Sequence, residues 1–284
     1  PTMQTILPGV VPTSLFPRAV AASSAAQQVA TITGPAVGGL IYAVNPTAVY
    51  AICFVMFAAA ATQLAFLHYE RAVTRTPVTL AGFFAGISYI RNNRILLGIV
   101  TLDLFAVLLG GAWALLPIFA KDVFDAGPTG LGILRAAPAV GALLITATLA
   151  RWSFTRSIGR IEFIAVAVFG VATLVFASTG SFWLAWCALA VMGGADSISV
   201  VIRITLLQLE TPDDMRGRVS AVNSLFITMS NQIGDFRAGA VASFIGAVPA
   251  VLVGGIGTLL VVLLCIRLFP ELYRVEGFHN KAPP

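Results

Sequence analysis

Charge is what this chain has least of: only 10% of its 284 residues are Asp, Glu, Lys or Arg, whereas 58% are hydrophobic. A soluble domain of this length needs far more charge to cover its surface, so the medium around most of the chain is lipid. Histidine is almost missing, with His68 and His279 alone, and the three cysteines (Cys53, Cys187 and Cys265) lie apart in apolar runs without a CxxC pair. That spacing excludes a Cys/His metal site or a disulfide framework, and the cysteines read as small packing residues. GxxxxGKS, HExxH and GxSxG are all absent. The first absence excludes ATP binding in the P-loop manner, and the others leave no hydrolytic or metalloenzyme signature. The chain is therefore read as no enzyme, with no cofactor and no metal. A net charge of +5 could point to nucleic acid, but the basic residues occur in short clusters between apolar runs, as membrane loops do. No nucleic-acid partner is expected.

The apolar runs themselves are plentiful, and mean hydropathy is +0.93. Windows of 18 or more residues bounded by charge or by Pro and Gly fall at about 19–43, 47–67, 95–119, 129–150, 161–179, 182–207, 218–245 and 249–269. These predict eight transmembrane helices after a stub at 1–16. Thirteen loop and tail Lys and Arg residues fall on one side of the membrane, and Lys121 stands alone on the other. The positive-inside rule then puts the loop before residue 19 and the 271–284 tail in the cytoplasm. The connection at 69–94 spaces Leu80, Phe83, Phe84, Ile87 and Ile90 helically beside Arg91 and Arg94, which predicts an amphipathic helix lying at the interface.

Shifting the sequence by 200 residues pairs Thr5 with Thr205, Pro12 with Pro212, Arg18 with Arg218, Gly34 with Gly234 and Gly39 with Gly239, among eight identities in 35 gapless positions. Six spans separate the two arginines, so both lie on the same side. The implied unit is six helices, repeated about an axis along the membrane normal. On that reading residues 1–68 are the remainder of an N-terminal half and 69–94 a cytoplasmic linker. Residues 95–270 are the C-terminal half, and three helices with most of a fourth precede residue 1.

GPAVGG at 34–39 resembles the fifth-helix motif of major facilitator superfamily antiporters. FFAGISYIRNN, LLPIFAKDVF, GLGILRAAPAVGALL, TPDDMRGRVSAVNSLF and NQIGDFRAGAVASFIGAVPA resemble the branch that holds the enterobactin exporter and macrolide efflux proteins. The resemblance implies an all-α polytopic membrane protein of the major facilitator fold, two times six helices when complete. It further implies a secondary active exporter, a proton-coupled antiporter of a siderophore or hydrophobic drug, working as a monomer in the inner (plasma) membrane. Its expected partners are the lipid bilayer, protons and a small amphipathic substrate. A transporter-shaped sensor or scaffold, or an inactive fragment, is the alternative. The family's cytoplasmic motif GxxxDRxGR is degenerate here: WSFTRSIGR at 152–160 keeps Gly159 and Arg160 and puts Arg156 where Asp belongs.

Ionisable side chains inside spans cost roughly 2.5–3.5 kcal/mol each on insertion scales and mark aqueous cavities. Asp196, Asp235 and Asp103, with Arg135 and Arg237, are thus the candidate proton and substrate path. The competing reading pairs Asp235 or Asp103 with Arg135 or Arg237 as a structural ion pair, and Gly193 and Gly194 are expected to let substrate approach Asp196. Arg203 is expected to snorkel to the interface. Gln27, Gln28, Asn223, Asn231 and Gln232 are further candidates to line the cavity. Gly34, Pro35, Gly38 and Gly39, with Pro138 and Gly141 of APAVGALL, form the expected helix-crossing and gating motif. Gly159, Arg160, Asp213, Arg216, Gly217 and Arg218 are the candidate cytoplasmic gate, with Asp213 or Asp214 capping the helix that begins there.

Overall fold

The computed structural model describes residues 30, 33–35, 37–66, 80–110, 112–151 and 156–277. Everything regular among them is helical: α1 (Thr33–Val44), α2 (Pro46–Ala65), α3 (Leu80–Asn92), α4 (Arg94–Gly110), α5 (Ala112–Ile118), α6 (Gly127–Arg151), α7 (Ile158–Ser178), α8 (Phe182–Leu209), α9 (Asp213–Ile245), α10 (Ala247–Leu268) and the single turn α11 (Pro270–Tyr273). A π-helical turn, Phe119–Val123, follows Pro117 at the end of α5. Gln27, Gln28 and most of the first predicted span lie outside the described residues.

Local sequence accounts for the boundaries. Asn45 caps α2 by accepting the Thr47 amide at 2.9 Å, with Pro46 in the first helical position, where its missing N–H costs nothing. Asn93 does the same for α4, accepting from Ile95 at 3.0 Å and Leu96 at 3.3 Å. Gly246 joins α9 to α10 at φ +89°, a conformation that suits glycine. Six segments are long and apolar enough to cross a membrane: 46–63, 94–123, 127–149, 158–178, 182–209 and 247–268. The predicted span at 218–245 falls in α9, a 33-residue helix outside that group. Asn223, Ser224, Thr228, Ser230, Asn231, Gln232, Asp235 and Arg237 dilute its hydropathy.

The chain forms two compact units, residues 1–77 with 127–136, and residues 78–126 with 137–284. In the first, α1 meets the start of α6 at glycine: a Cβ on Gly39 would stand 2.7 Å from the Pro128 carbonyl and 3.0 Å from Gly132 Cα. Gly34 and Gly38 have no described atom that close, and the residues of α2 are nearly all exposed.

The second unit has a core of its own. α7 packs on α8 and α10, α10 on α4, and α9 on α4 and α3. Leu96, Ile99 and Leu102 of α4, Ile158 and Phe163 of α7, Ile202 and Leu206 of α8, Val222 of α9 and Val262 of α10 are buried together. Lipid is as apolar as these side chains, so close fit rather than water exclusion holds the helices. Glycines let them approach: a Cβ on Gly86 of α3 would come within 2.9 Å of the Arg218 carbonyl, and one on Gly255 within 2.7 Å of Leu174. The apolar face of α3 is turned to protein rather than to headgroups. Ile90 is buried, Phe83 and Ile87 pack on the core, and Phe84 stands clearly out. The Tyr89 hydroxyl donates to the Glu210 carbonyl at 2.7 Å, and burial, then the Glu210 and Asp214 charges, raise its pKa above the ordinary value.

The cysteines divide: Cys265 is buried, as a packing residue should be, whereas Cys53 and Cys187 are exposed.

Candidate functional site

The 1.5 Å rise sets the depths: Asp103 lies about 13 Å along α4 from Arg94, Asp196 about 21 Å along α8 from Phe182, and Asp235 about 15 Å from the end of α9. All three border one cavity of about 150 Å³, with Val107, Trp113, Phe169, Val200, Arg203, Ile227 and Asn231. Three of the five ionisable candidates read from the sequence, which lie up to 132 residues apart, are thus brought together. Arg135 is exposed and belongs to the other unit.

Arg203 corrects two expectations. It does not snorkel: it is 4% exposed and forms an ion pair with Asp103, itself 7% exposed. Reaching for the interface would leave Asp103 buried without a counter-ion, which costs more than stretching the side chain outward gains. The pairing also differs from the expected one with Arg237, whose side chain reaches the Leu108 and Leu109 carbonyls instead. The Arg203 Nε has no hydrogen-bond partner among the described residues, so the guanidinium keeps donor capacity at the cavity wall.

Arg237 is used differently. Its Nε donates to the Leu108 carbonyl at 3.0 Å and its Nη2 to the Leu109 carbonyl at 2.5 Å, at the end of α4 where carbonyls lack donors of their own helix. Gly234 allows this: a Cβ there would lie 3.0 Å from the Val107 carbonyl, so α9 and α4 touch backbone to backbone. Asp235 is exposed and has no ion pair among the described residues, as is true of Asp196. The site therefore offers one neutralised pair, two carboxylates without a counter-ion, an amide from Asn231, and the aromatic faces of Trp113 and Phe169. Such a wall can bind a cationic or hydrogen-bonding amphiphile and can exchange protons with water.

Other expected roles shift. Gly193 and Gly194 do not open space for a ligand beside Asp196. A Cβ on Gly193 would overlap the Pro138 carbonyl, and one on Gly194 would crowd Ile145 at 2.9 Å. Gly141 in turn faces the Ala190 carbonyl. The APAVGALL string thus packs α6 on α8, and the part of α6 that meets α1 is the earlier Pro128 to Gly132.

At the Arg-rich end, the Gly159 amide donates to the Val275 carbonyl at 3.0 Å, and a Cβ at Gly159 would overlap the Leu272 carbonyl. The Arg160 guanidinium lies 5.5 Å over the Tyr273 ring. This remnant of the motif ties α7 to the turn after α10. The helix that opens on Asp213 and Asp214 has Pro212, not an aspartate, at its cap position, with no side-chain cap hydrogen bond there. Their charges still favour the helix's positive end. The Arg216 Nε donates to the Gln208 carbonyl at 3.0 Å, while Arg218 Nη1 reaches Met215 Sδ at 3.5 Å and Gly217 is exposed.

Sequence reasoning passed over Glu162. It is wholly buried on α7, and its Oε1 accepts the Ser199 hydroxyl of α8 at 2.6 Å. It lies one residue inside the predicted span 161–179, and the sequence reading gave it no role. Its spacing was the missed signal, because Glu162 shares a helical face with Phe163, Val166 and Phe169.

Comparison with known proteins places this architecture. The chain matches the family described as transmembrane secretion effector over residues 1–278. It is 25% identical to the enterobactin exporter of Citrobacter koseri over 195 residues, which covers 69% of this chain and 47% of that protein. It is 25% identical over 255 residues to an uncharacterized MFS-type transporter of Bacillus subtilis, covering 87% and 62%. It is 26% identical over 132 residues to a Na(+), Li(+), K(+)/H(+) antiporter of Planococcus maritimus, covering 42% and 31%. The chain therefore spans between about a third and three-fifths of the length of these relatives. With its all-α fold, its six membrane-length apolar helices and its ionisable groups gathered inside the bundle, the chain belongs to the transmembrane secretion effector family of major facilitator transporters, a family of carriers and not of enzymes.

Proposed function

We propose that the protein carrying this chain is a proton-coupled exporter that moves an amphipathic molecule, a siderophore or a hydrophobic drug, outward by alternating access in the bacterial inner membrane, with the tail at 271–284 in the cytoplasm. The observation that carries this reading is the shared cavity of Asp103, Asp196 and Asp235, of which Asp103 alone has a counter-ion among the described residues. A carboxylate without a partner, facing a cavity within a bilayer, gains most by binding a proton or a cation. Asp196 and Asp235 are the groups that exchange the driving proton, and Asp103 with Arg203 is the fixed charge pair of the wall. Trp113 and Phe169 supply apolar and π surface for the substrate. Relatives named for enterobactin export and for cation/proton antiport support export and antiport respectively.

The test is reconstitution of the full-length protein in vesicles, with export of enterobactin, erythromycin and ethidium measured under an imposed pH gradient. The expected result is gradient-driven export of at least one probe, lost in Asp196→Asn or Asp235→Asn. Binding of a probe without any flux would favour the sensor reading. Gradient-driven export that survives in both variants would sink the assignment of the proton to these residues.

A further inference from the structure

Behind the cavity lies a second acidic group that the mechanism above does not use. Asp196 is exposed to the cavity, whereas Ser199, one turn on along the same face of α8, is 4% exposed and Glu162 is fully buried. The Ser199 hydroxyl donates to Glu162 Oε1 at 2.6 Å, and Glu162 Oε2 has no hydrogen-bond partner among the described residues. Asp103, Asp196 and Ser199 also border a pocket of about 20 Å³ beside this contact. That is room for about one water with several polar neighbours. Together these groups run inward from the cavity as carboxylate, hydroxyl and carboxyl.

We infer that Glu162 is the inner resting place of the coupling proton, reached from Asp196 through Ser199. The inference rests on the proton-coupled reading. In the transfer, protonated Asp196 gives its proton to Ser199 Oγ, directly or through one water, while Ser199 passes its hydroxyl proton to Glu162 Oε1. The products are an Asp196 carboxylate, an unchanged Ser199 hydroxyl and a Glu162 carboxylic acid, so one proton has moved and nothing is oxidised or reduced. Asp196 is thereby free to face the cavity as an anion while the proton is kept from water.

The surroundings of Glu162 fit storage rather than a permanent charge. From α8 it faces Ser199 and feels Asp196. α4 brings Asp103, which Arg203 already holds. α11 brings Tyr273, whose ring stacks on Phe163 and lies under Arg160. The buried residues of α10 include one titratable group, Cys265, and no cation. No ion pair reaches Glu162 among the described residues. A buried carboxylate with a single hydroxyl partner is costly, and a proton removes that cost.

The test is infrared difference spectroscopy on the full-length protein in nanodiscs during a pH step, with no substrate needed. The expected result is a protonated-carboxyl stretching band that titrates in the wild type, is lost in Glu162→Gln, and moves to higher frequency in Ser199→Ala, where the hydroxyl no longer bonds the acid. A wild-type difference spectrum in which Glu162→Gln removes no band would overturn the inference, because a Glu162 that never exchanges its proton is merely structural. If Glu162→Gln fails to fold, Ser199→Ala decides, and an unmoved band overturns it equally. Transport of the same three probes separates the two levels. A wild type without gradient-driven export removes the proton-coupled reading and this inference with it, whereas equal gradient drive in wild type and Glu162→Gln removes this inference alone.

Discussion

The same two helices, α7 and α8, present opposite chemistries on their two sides. Toward the cavity they offer Phe169, Asp196 and Arg203, with Glu162 and Ser199 buried behind. On the far side Ile164, Val168, Val171, Leu184, Cys187 and Val191 line a groove of about 440 Å³ with hardly a polar atom in it. Both sides are exposed to some degree, so exposure alone does not distinguish them. What differs is the medium each surface suits: ionisable groups are tolerated where water or a partner can reach them, and a lipid-facing wall must be apolar because nothing there can solvate a charge.

That contrast can be broken from either side. The largest effect is expected from Arg203→Met, which leaves Asp103 buried and unpaired and should destabilise the protein by about 3–5 kcal/mol. Thermal unfolding in detergent checks this, and the double variant Asp103→Leu with Arg203→Met should recover most of the loss. A milder recovery than in the single variant's own revertant would show that the pair also shapes the cavity. Next is Val171→Lys on the outer wall, expected to cost about 2.5–3.5 kcal/mol of insertion and to be read as reduced membrane yield. The same substitution at Asn231, on the cavity side, should leave yield close to wild type; equal losses at both positions would erase the distinction between the two faces.

Gly193→Ala should cost about 1–3 kcal/mol, because its Cβ would overlap the Pro138 carbonyl and force α6 away from α8. Gly217→Ala, with open space around it, should be neutral in the same melt. The smallest effect is at α3. Tyr89→Phe removes one hydrogen bond, worth about 0.5–1.5 kcal/mol. Tyr89 holds its proton more tightly in the fold than in the unfolded chain, so its contribution is whole below the ordinary tyrosine value of 10 and is lost as pH climbs through the folded value. Alkaline titration of the melting temperature should therefore fall less steeply in the Phe variant.

The membrane class, most of the spans and the three aspartates within them were legible because each is a local matter. An 18-residue apolar run or a lone carboxylate within it can be read without knowing any neighbour. Partners were not legible. Asp103 and Arg203 are 100 residues apart, and Arg237, two residues from Asp235 in the chain, is taken up by carbonyls that become available only where α4 ends against α9. Gly193 beside Asp196 looked like room for substrate, yet the room is taken by the backbone of α6. Glu162 was hidden by its position at the charged margin of a run, where a side chain can equally turn to water or into the bundle.

The sequence by itself determined that the chain lives in lipid, which segments can cross it, and that a few charges must sit within them, since hydropathy and length are properties of each segment alone. The tertiary structure decided which charges neutralise one another, which remain unpaired at a cavity, and that α9 supplies Ile227, Asn231 and Asp235 to the wall of that cavity. Those outcomes depend on which helix faces meet, and the meeting is set by glycine contacts and side-chain fit across elements far apart in the chain.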